Sequence, residues 1–245
     1  MNSTIEFLTG HRSIRKYKDT PVSEQVLGQI INAAQWSSTS SHFQAYTIIN
    51  VKDKSKRAII AQATGGQRWV TEAPVFLVFC ADLHRAQKYW VNKEDRVFSN
   101  NEFFIISTVD AALAAQQAFI AAESLGLGGV YIGGIRNDLQ VVSEALNLPE
   151  LVYPVFGMCL GYPDDNPGLK PRLPMQAVYK VDSYTESNDA ALVADYNAQI
   201  KEYYLERTGG ATDESWSERC GRLMMEKTRD NLGLFLKAKG FNITP

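Results

Sequence analysis

The stretch Gly126-Leu127-Gly128-Gly129-Val130-Tyr131-Ile132-Gly133-Gly134-Ile135-Arg136-Asn137 sets two glycine pairs on either side of a short apolar run. Glycine lets a ligand approach the main chain closely, or takes positive φ, at a cost in conformational entropy. Two pairs around one short strand suit a flat ligand lying against backbone. Ahead of them, Phe103–Leu125 is apolar on nearly every side and interrupted by Asp110, Gln116, Gln117 and Glu123. It reads as a central buried helix, not as a membrane span.

Upstream lies His11-Arg12-Ser13-Ile14-Arg15-Lys16-Tyr17. In extended backbone side chains alternate between faces, so His11, Ser13 and Arg15 share one side. An oxyanion is a natural partner for that set, and a solvated basic turn fits the same residues. A helix opened by Pro21 and Ser23 carries Val26, Leu27, Ile30, Ile31 and Ala34 at helical spacing. It ends in Trp36-Ser37-Ser38-Thr39-Ser40-Ser41, whose hydroxyls suit a loop that bonds a polar ligand or a plain polar loop. A strand Ala45–Val51, a helix Lys54–Ala63 ended by Gly65-Gly66, and Gln67 follow. The continuous apolar run Val75–Cys80 predicts a strand buried on both faces. Leu83–Asn101, polar and aromatic without clear periodicity, reads as a mobile excursion.

Downstream, Asn137 or Asp138 caps a helix with Val141, Val142, Ala145 and Leu146, and a strand Tyr153–Leu160 comes next. In Lys170-Pro171-Arg172-Leu173-Pro174 the prolines stiffen a segment holding two cations on one side. That is a second oxyanion contact or a rigid crossover. Ala190–Thr208 and Trp216–Lys239 read as two long amphipathic helices with no compact core of their own. Burial of their stripes on a partner subunit predicts an obligate dimer.

Composition excludes more than it assigns. The chain has 245 residues, 45% hydrophobic and 21% charged, with a formal charge of −2. Neither a sequence-independent grip on nucleic acid nor a hold on an anionic membrane is expected. Cys80, Cys159 and Cys220 are widely spaced and read as free thiols. With no signal-like region in Met1–Glu6, a cytoplasmic location is expected.

His11, His42 and His84 lie far apart, and no metal-ligand spacing is present, so no metal is expected. Gly133-Gly134 leads into Ile135-Arg136-Asn137 and not into a Walker lysine. The dinucleotide fingerprint and the Gly-x-Ser-x-Gly elbow are missing as well. What remains is an oxyanion site, a hydroxyl loop and a glycine strand for a planar ring. Flavin mononucleotide (FMN) has matching parts, as do other nucleotides.

Taken together, His11–Arg15, Ser37–Ser41, Ala121–Asn137 and Lys170–Pro174, with Tyr203-Tyr204, Arg207 and Trp216-Ser217, resemble the nitroreductase superfamily. The likeness covers nearly the whole chain and is nearest the branch of oxygen-insensitive nitroreductase A and the NADPH-dependent FMN reductases. It implies an α+β fold, a mixed sheet flanked by helices, in an intertwined homodimer. Residues 1–185 would form the flavin-binding core and 186–245 a helical extension around the partner. FMN is the implied cofactor, with His11, Arg12, Ser13, Lys170 and Arg172 around its phosphate and ribityl chain. Arg15 is implied at the pyrimidine edge, Ser38, Thr39 and Ser40 beside the flavin, Gln67 at the ring or ribityl chain, and Tyr131, Ile132, Gly133 and Gly134 along the N5 edge.

Ser41, Arg136, Arg207 and Arg229 match positions for NAD(P)H or substrate. The implied reaction is ping-pong: hydride passes from a reduced nicotinamide to flavin N5 and on to a nitroaromatic, a quinone or free flavin. No side chain is then needed as catalytic acid or base. A non-catalytic FMN-binding or redox-sensing protein is the alternative. After Arg207 the turn Thr208–Glu214 contains no basic residue where relatives carry one, which weakens the preference for NADPH over NADH.

Overall fold

The computed structural model describes residues 2–90, 100–226 and 229–243. They fall into two compact units, Met1–Pro167 with Arg229–Pro245, and Gly168–Thr228. The division thus comes at 167/168 instead of 185/186, and the last helix belongs to the first unit.

The first unit is built on four strands, β1 (Tyr46–Asn50), β2 (Val75–Asp82), β3 (Gly128–Ile132) and β4 (Val152–Gly161), in the order β1-β2-β4-β3. Their pairings are antiparallel. The parallel component is a bridge from Ser13 to Gly129, which lays the basic N-terminal segment along the outer edge of β3. In chain order the helices of this unit are α1 (Ser3–Thr9), α2 (Glu24–Gln35), α3 (Lys54–Ala63), α4 (Trp69–Glu72), α5 (His84–Lys88), α6 (Asn101–Ser124) and α7 (Leu139–Ala145). Side-chain caps from Ser23, Asp53, Asn100 and Asp138 start α2, α3, α6 and α7.

Every residue of β2 is buried. Its alternation sends Phe76, Val78 and Cys80 toward Ile60, Ile132 and Val142 on one face, and Val75, Leu77 and Phe79 toward Ile30, Ala118 and Phe119 on the other. The sheet is therefore sandwiched, with α2 and α6 on one face and α3 and α7 on the opposite one.

The helix over Phe103–Leu125 is present but is not buried all round. Ser107, Asp110, Ala111, Ala114, Ala115, Ala118, Phe119 and Ala122 face the core. Ile105, Val109 and Leu113, at i, i+4 and i+8, are 54%, 47% and 43% exposed. One chain covers only half of this helix.

Two other expectations are corrected. His84–Lys88 of the expected excursion is helical and Asn101 already begins α6, while 91–99 lies outside the described residues. Trp216–Lys239 is not one helix, because Arg229 takes φ +45, a left-handed conformation no α-helix accommodates.

The second unit contains α8 (Met175–Val178), α9 (Asp189–Arg207) and α10 (Trp216–Glu226). The Tyr196 hydroxyl of α9 donates to the Pro171 carbonyl at 3.0 Å, and its ring meets Trp216 edge-on at 6.0 Å. Asn197 exchanges two 3.0 Å hydrogen bonds with Ser217. Beyond residue 228 the chain re-enters the first unit as α11 (Leu232–Ala238), where Phe235 and Leu236 join Tyr153 in the core.

Candidate functional site

The outer edge of β3 collects most of the predicted residues. The Ile14 amide donates to the Gly129 carbonyl at 2.8 Å, holding His11–Arg15 beside the strand. This contact demands a glycine: a Cβ on Gly128 would stand 2.5 Å from Ile14 Cγ1. Gly134 is equally constrained, since its Cβ would lie 2.5 Å from Gln67 Nε2 and 2.8 Å from the Thr64 carbonyl oxygen. A Cβ on Gly129 would stand 2.3 Å from the Cys159 carbonyl oxygen, so three of the four paired glycines answer to protein neighbours. Gly133 is more open, with Arg136 Nη2 as the nearest atom, at 3.5 Å.

His11 is engaged from the far end of α6. Its Nδ1 lies 2.8 Å from Glu123 Oε1, and the Phe119 ring meets the imidazole edge-on at 5.1 Å. Arg12 donates to the carbonyls of Gly10 at 3.2 Å and Pro167 at 3.4 Å, and to the Asn166 side chain. Arg15 is exposed, with its guanidinium 5.7 Å from the centre of the Trp69 ring. Trp69 Nε1 donates to Gln67 Oε1 at 3.0 Å, and Gln67 Nε2 donates to the Thr64 carbonyl at 2.9 Å. Arg15, Trp69, Gln67 and Gly134 form one continuous set.

Within β3 the side chains are already committed. Ile132 is fully buried, so only its main chain can serve a ligand. Tyr131 stacks on Phe119 at 5.2 Å and donates to Gln116 at 3.3 Å, and burial raises its phenol well above the usual range. Past the strand, Arg136 donates to the Val155 carbonyl at 2.6 Å. Its pKa is lowered first by burial and then by the neighbouring charge of Arg229. Arg229 Nη2 donates to the Gly133 carbonyl and to Asn137 Oδ1, each at 3.2 Å. Both guanidiniums border a cleft shared with Asp138, Gln140, Asp230 and Phe235.

The hydroxyl loop is shaped from the middle of α6. Asp110, fully buried, accepts the Ser40 amide at 3.0 Å and the Ala45 amide at 2.9 Å, one on each carboxylate oxygen. Between them Ser41, His42 and Gln44 take φ of 48, 58 and 52. Ser38 and Ser40 are exposed, Thr39 is half-buried, and Ser41 sits at the left-handed bend. Asp110 and Glu123 lie thirteen residues apart on one helix, about 20 Å at 1.5 Å per residue. One chain therefore does not bring Ser38–Ser40 to His11.

In the second unit Lys170 Nζ donates to the Tyr204 hydroxyl at 2.6 Å and lies 4.8 Å from its ring centre. Arg172 is exposed. Arg207 donates to the Tyr203 hydroxyl and lies 5.7 Å from its ring centre. The acidic residues of the following turn are paired: Asp213 with Lys201 at 2.9 Å, and Glu214 with Arg222 at 2.7 and 3.1 Å.

Three residues that organise the site, Trp69, Asp110 and Glu123, were not predicted in it. The two acids were visible as charged interruptions of an apolar helix; Trp69 left no signal. Among the described residues no group of three or more His, Cys, Asp or Glu is close enough to hold a metal ion.

Comparison with known proteins adds to this geometry. Residues 8–162 match the model of the nitroreductase family, and residues 170–244 match the C-terminal domain of that family. An FMN reductase (NADPH) of Bacillus subtilis is 43% identical over 99% of each chain. An oxygen-insensitive NADPH nitroreductase of Salmonella typhimurium is 43% identical over 98% of this chain and 99% of its own. The solved structure of an NADPH:FMN oxidoreductase from Vibrio harveyi, complexed with NAD+, is 38% identical and superposes with a TM-score of 0.89 over 98% of each chain.

Proposed function

This chain belongs to the nitroreductase family, and we propose on that basis that it is an FMN-dependent NAD(P)H oxidoreductase reducing small acceptors such as nitroaromatics, quinones or free flavin. The observation that carries this reading is the set Arg15–Trp69–Gln67–Gly134 on the edge of β3. It offers a cation and an amide beside the half-buried backbone of Gly133 and Gly134, the donors that a flavin pyrimidine edge requires.

The donor chemistry fits FMN along its length. His11, Arg12 and Ser13 supply donors for a phosphate and ribityl hydroxyls, and Lys170 and Arg172 are proposed to join them, as the family resemblance implies. Arg15 supplies positive charge where a reduced flavin carries negative charge. Gln67 is proposed to donate to the ring, and Tyr131, Ile132, Gly133 and Gly134 to lie beside it through their main chain. Bound FMN supplies the hydride chemistry, and the chain's residues bind, orient and admit. Gly133 keeps one side of the backbone free of side chain. Arg136 and Arg229, already anchored to carbonyls, present fixed positive charge at the end of β3 to nicotinamide or acceptor, together with Ser41. No side chain is assigned as acid or base.

A homodimer completes the reading. Ile105, Val109 and Leu113 leave an apolar stripe on α6, with Ile5, Leu8 and Trp36 also exposed at 50%, 44% and 80%. Met175, Val178 and Tyr179 of the second unit are exposed at 70%, 70% and 66%. Large apolar faces of this kind mark contact surfaces. The roughly 20 Å between the anchors of the hydroxyl loop and of His11 supports a site to which the partner contributes Ser38, Thr39 and Ser40. The buried free thiols Cys80 and Cys159 fit a reducing cytoplasm.

For the donor we propose NADPH over NADH, with Arg207 at the 2′-phosphate. The pairing of Asp213 and Glu214 with Lys201 and Arg222 lessens the repulsion that the acidic turn would otherwise exert. Protein loaded with FMN should oxidise NADPH in the presence of nitrofurazone or a quinone, with parallel double-reciprocal lines. A rate independent of flavin content would overturn the reading.

A further inference from the structure

Gln67 cannot be oriented both ways. The indole Nε1–H of Trp69 can only donate, so the amide atom it meets at 3.0 Å is the oxygen. The Thr64 carbonyl can only accept, so the atom it meets at 2.9 Å is the NH2 group. Two partners of opposite character fix an amide that is otherwise free to flip by 180°. Gly134 closes on the same nitrogen, leaving no room even for a methyl group there. Of the two N–H groups on the amide nitrogen, the Thr64 carbonyl takes one, and among the described residues the second has no hydrogen-bond partner. The other face of the device is Arg15, whose guanidinium lies over the same indole ring at 5.7 Å. Cation–π attraction holds that guanidinium without consuming its N–H donors.

We propose that Trp69 is a positioning residue for the flavin, locking Gln67 as a hydrogen-bond donor and holding Arg15 beside it. The inference rests on the FMN reading above and deepens it. Trp69 contacts Gln67 and Arg15, and its role is to act on the flavin through these two residues. Gln67 and Arg15 then present N–H groups and positive charge together at one edge of the ring, which favours reduced flavin over oxidised. Without the indole N–H the Thr64 carbonyl alone selects the amide orientation, and Gln67 is held less firmly as a donor.

Trp69→Phe tests this with little change of shape, since it keeps an aromatic ring under Arg15 and removes the N–H. Apoprotein is titrated with FMN by quenching of flavin fluorescence, and the midpoint potential of the reconstituted protein is measured. The expected result is FMN affinity lowered about 3- to 10-fold, as for one lost hydrogen bond, and a more negative midpoint potential. Gln67→Ala should do the same, and the double variant should be no worse than Gln67→Ala alone. Trp69→His, which returns a ring N–H, should recover part of the affinity even if Trp69→Phe lowers stability. Unchanged affinity and potential in Trp69→Phe, or effects of the two single variants that multiply, overturn the proposal. Wild-type protein that takes up no FMN overturns the flavin reading itself and this inference with it.

Discussion

His11 and Glu123, 112 residues apart in sequence, meet with Nδ1 and Oε1 separated by 2.8 Å. Glu123 sits in the last turn of α6, where the helix dipole disfavours a carboxylate and a basic partner offsets it. With Nδ1 turned to Glu123, Nε2 is the ring nitrogen left to face a ligand, and it donates to a phosphate when the ring carries both protons. Glu123→Ala should therefore weaken FMN binding by about 1.5–3 kcal/mol, the worth of a charge-assisted contact. Equilibrium titration of apoprotein measures this; affinity equal to wild type would detach His11 from the phosphate.

Asp110 bears on the hydroxyl loop. Removing its carboxylate leaves the amides of Ser40 and Ala45 without acceptors. Asp110→Ala is predicted to cost about 2–5 kcal/mol in urea unfolding. It should also speed hydrogen exchange at those two amides more than elsewhere in the first unit. Uniform exchange across the unit would mean that Asp110 does not shape the loop.

The exposed stripe of α6 predicts the assembly. Val109→Glu or Leu113→Glu should turn a dimer into a monomer by sedimentation equilibrium, and the monomer should retain little FMN. A monomeric wild-type protein that holds FMN at full strength would contradict the shared site.

Donor choice is predicted to rest on Arg207. Arg207→Ala should raise KM for NADPH far more than for NADH, by about 1.5–3 kcal/mol in kcat/KM. Equal changes with both donors would remove Arg207 from the 2′-phosphate.

Stability should fall on the alkaline side. Burial raises the thiols of Cys80 and Cys159 and the phenols of Tyr17 and Tyr131 above their ordinary values. For a group whose folded pKa exceeds its unfolded one, the stabilisation is complete below the unfolded value and is lost as pH rises toward the folded one. The window thus opens near pH 8.5 for the thiols and about pH 10 for the phenols. Urea midpoints should be level from pH 7 to 8 and then drop through pH 10; a flat profile would contradict the burial of these groups.

Much of this arrangement can be read from local sequence. The helix expected ahead of the Gly65-Gly66 stop is α3 (Lys54–Ala63), and the uninterrupted Val75–Cys80 run gives the strand buried on both faces. Interruptions of the apolar helix mark Asp110 and Glu123, but their partners Ala45 and His11 are brought in only by the tertiary fold. Periodicity shows that α6 is apolar all round and is silent on which half the same chain covers. The left-handed Arg229 has no local signature, since the pattern of Trp216–Lys239 runs through it undisturbed. Trp69 could not be assigned either, because its meaning lies in Arg15 and Gln67 meeting around one indole ring.

In the proposed reaction this chain holds FMN and passes reducing equivalents through it. Anaerobic addition of NADPH to the purified, FMN-loaded protein, followed by visible absorption, tests it most directly. The yellow colour should bleach on mixing with stoichiometric NADPH and return when nitrofurazone or a quinone is added. Bound flavin that stays yellow under excess NADPH and NADH would contradict it, and would leave a flavin-binding protein without the proposed activity.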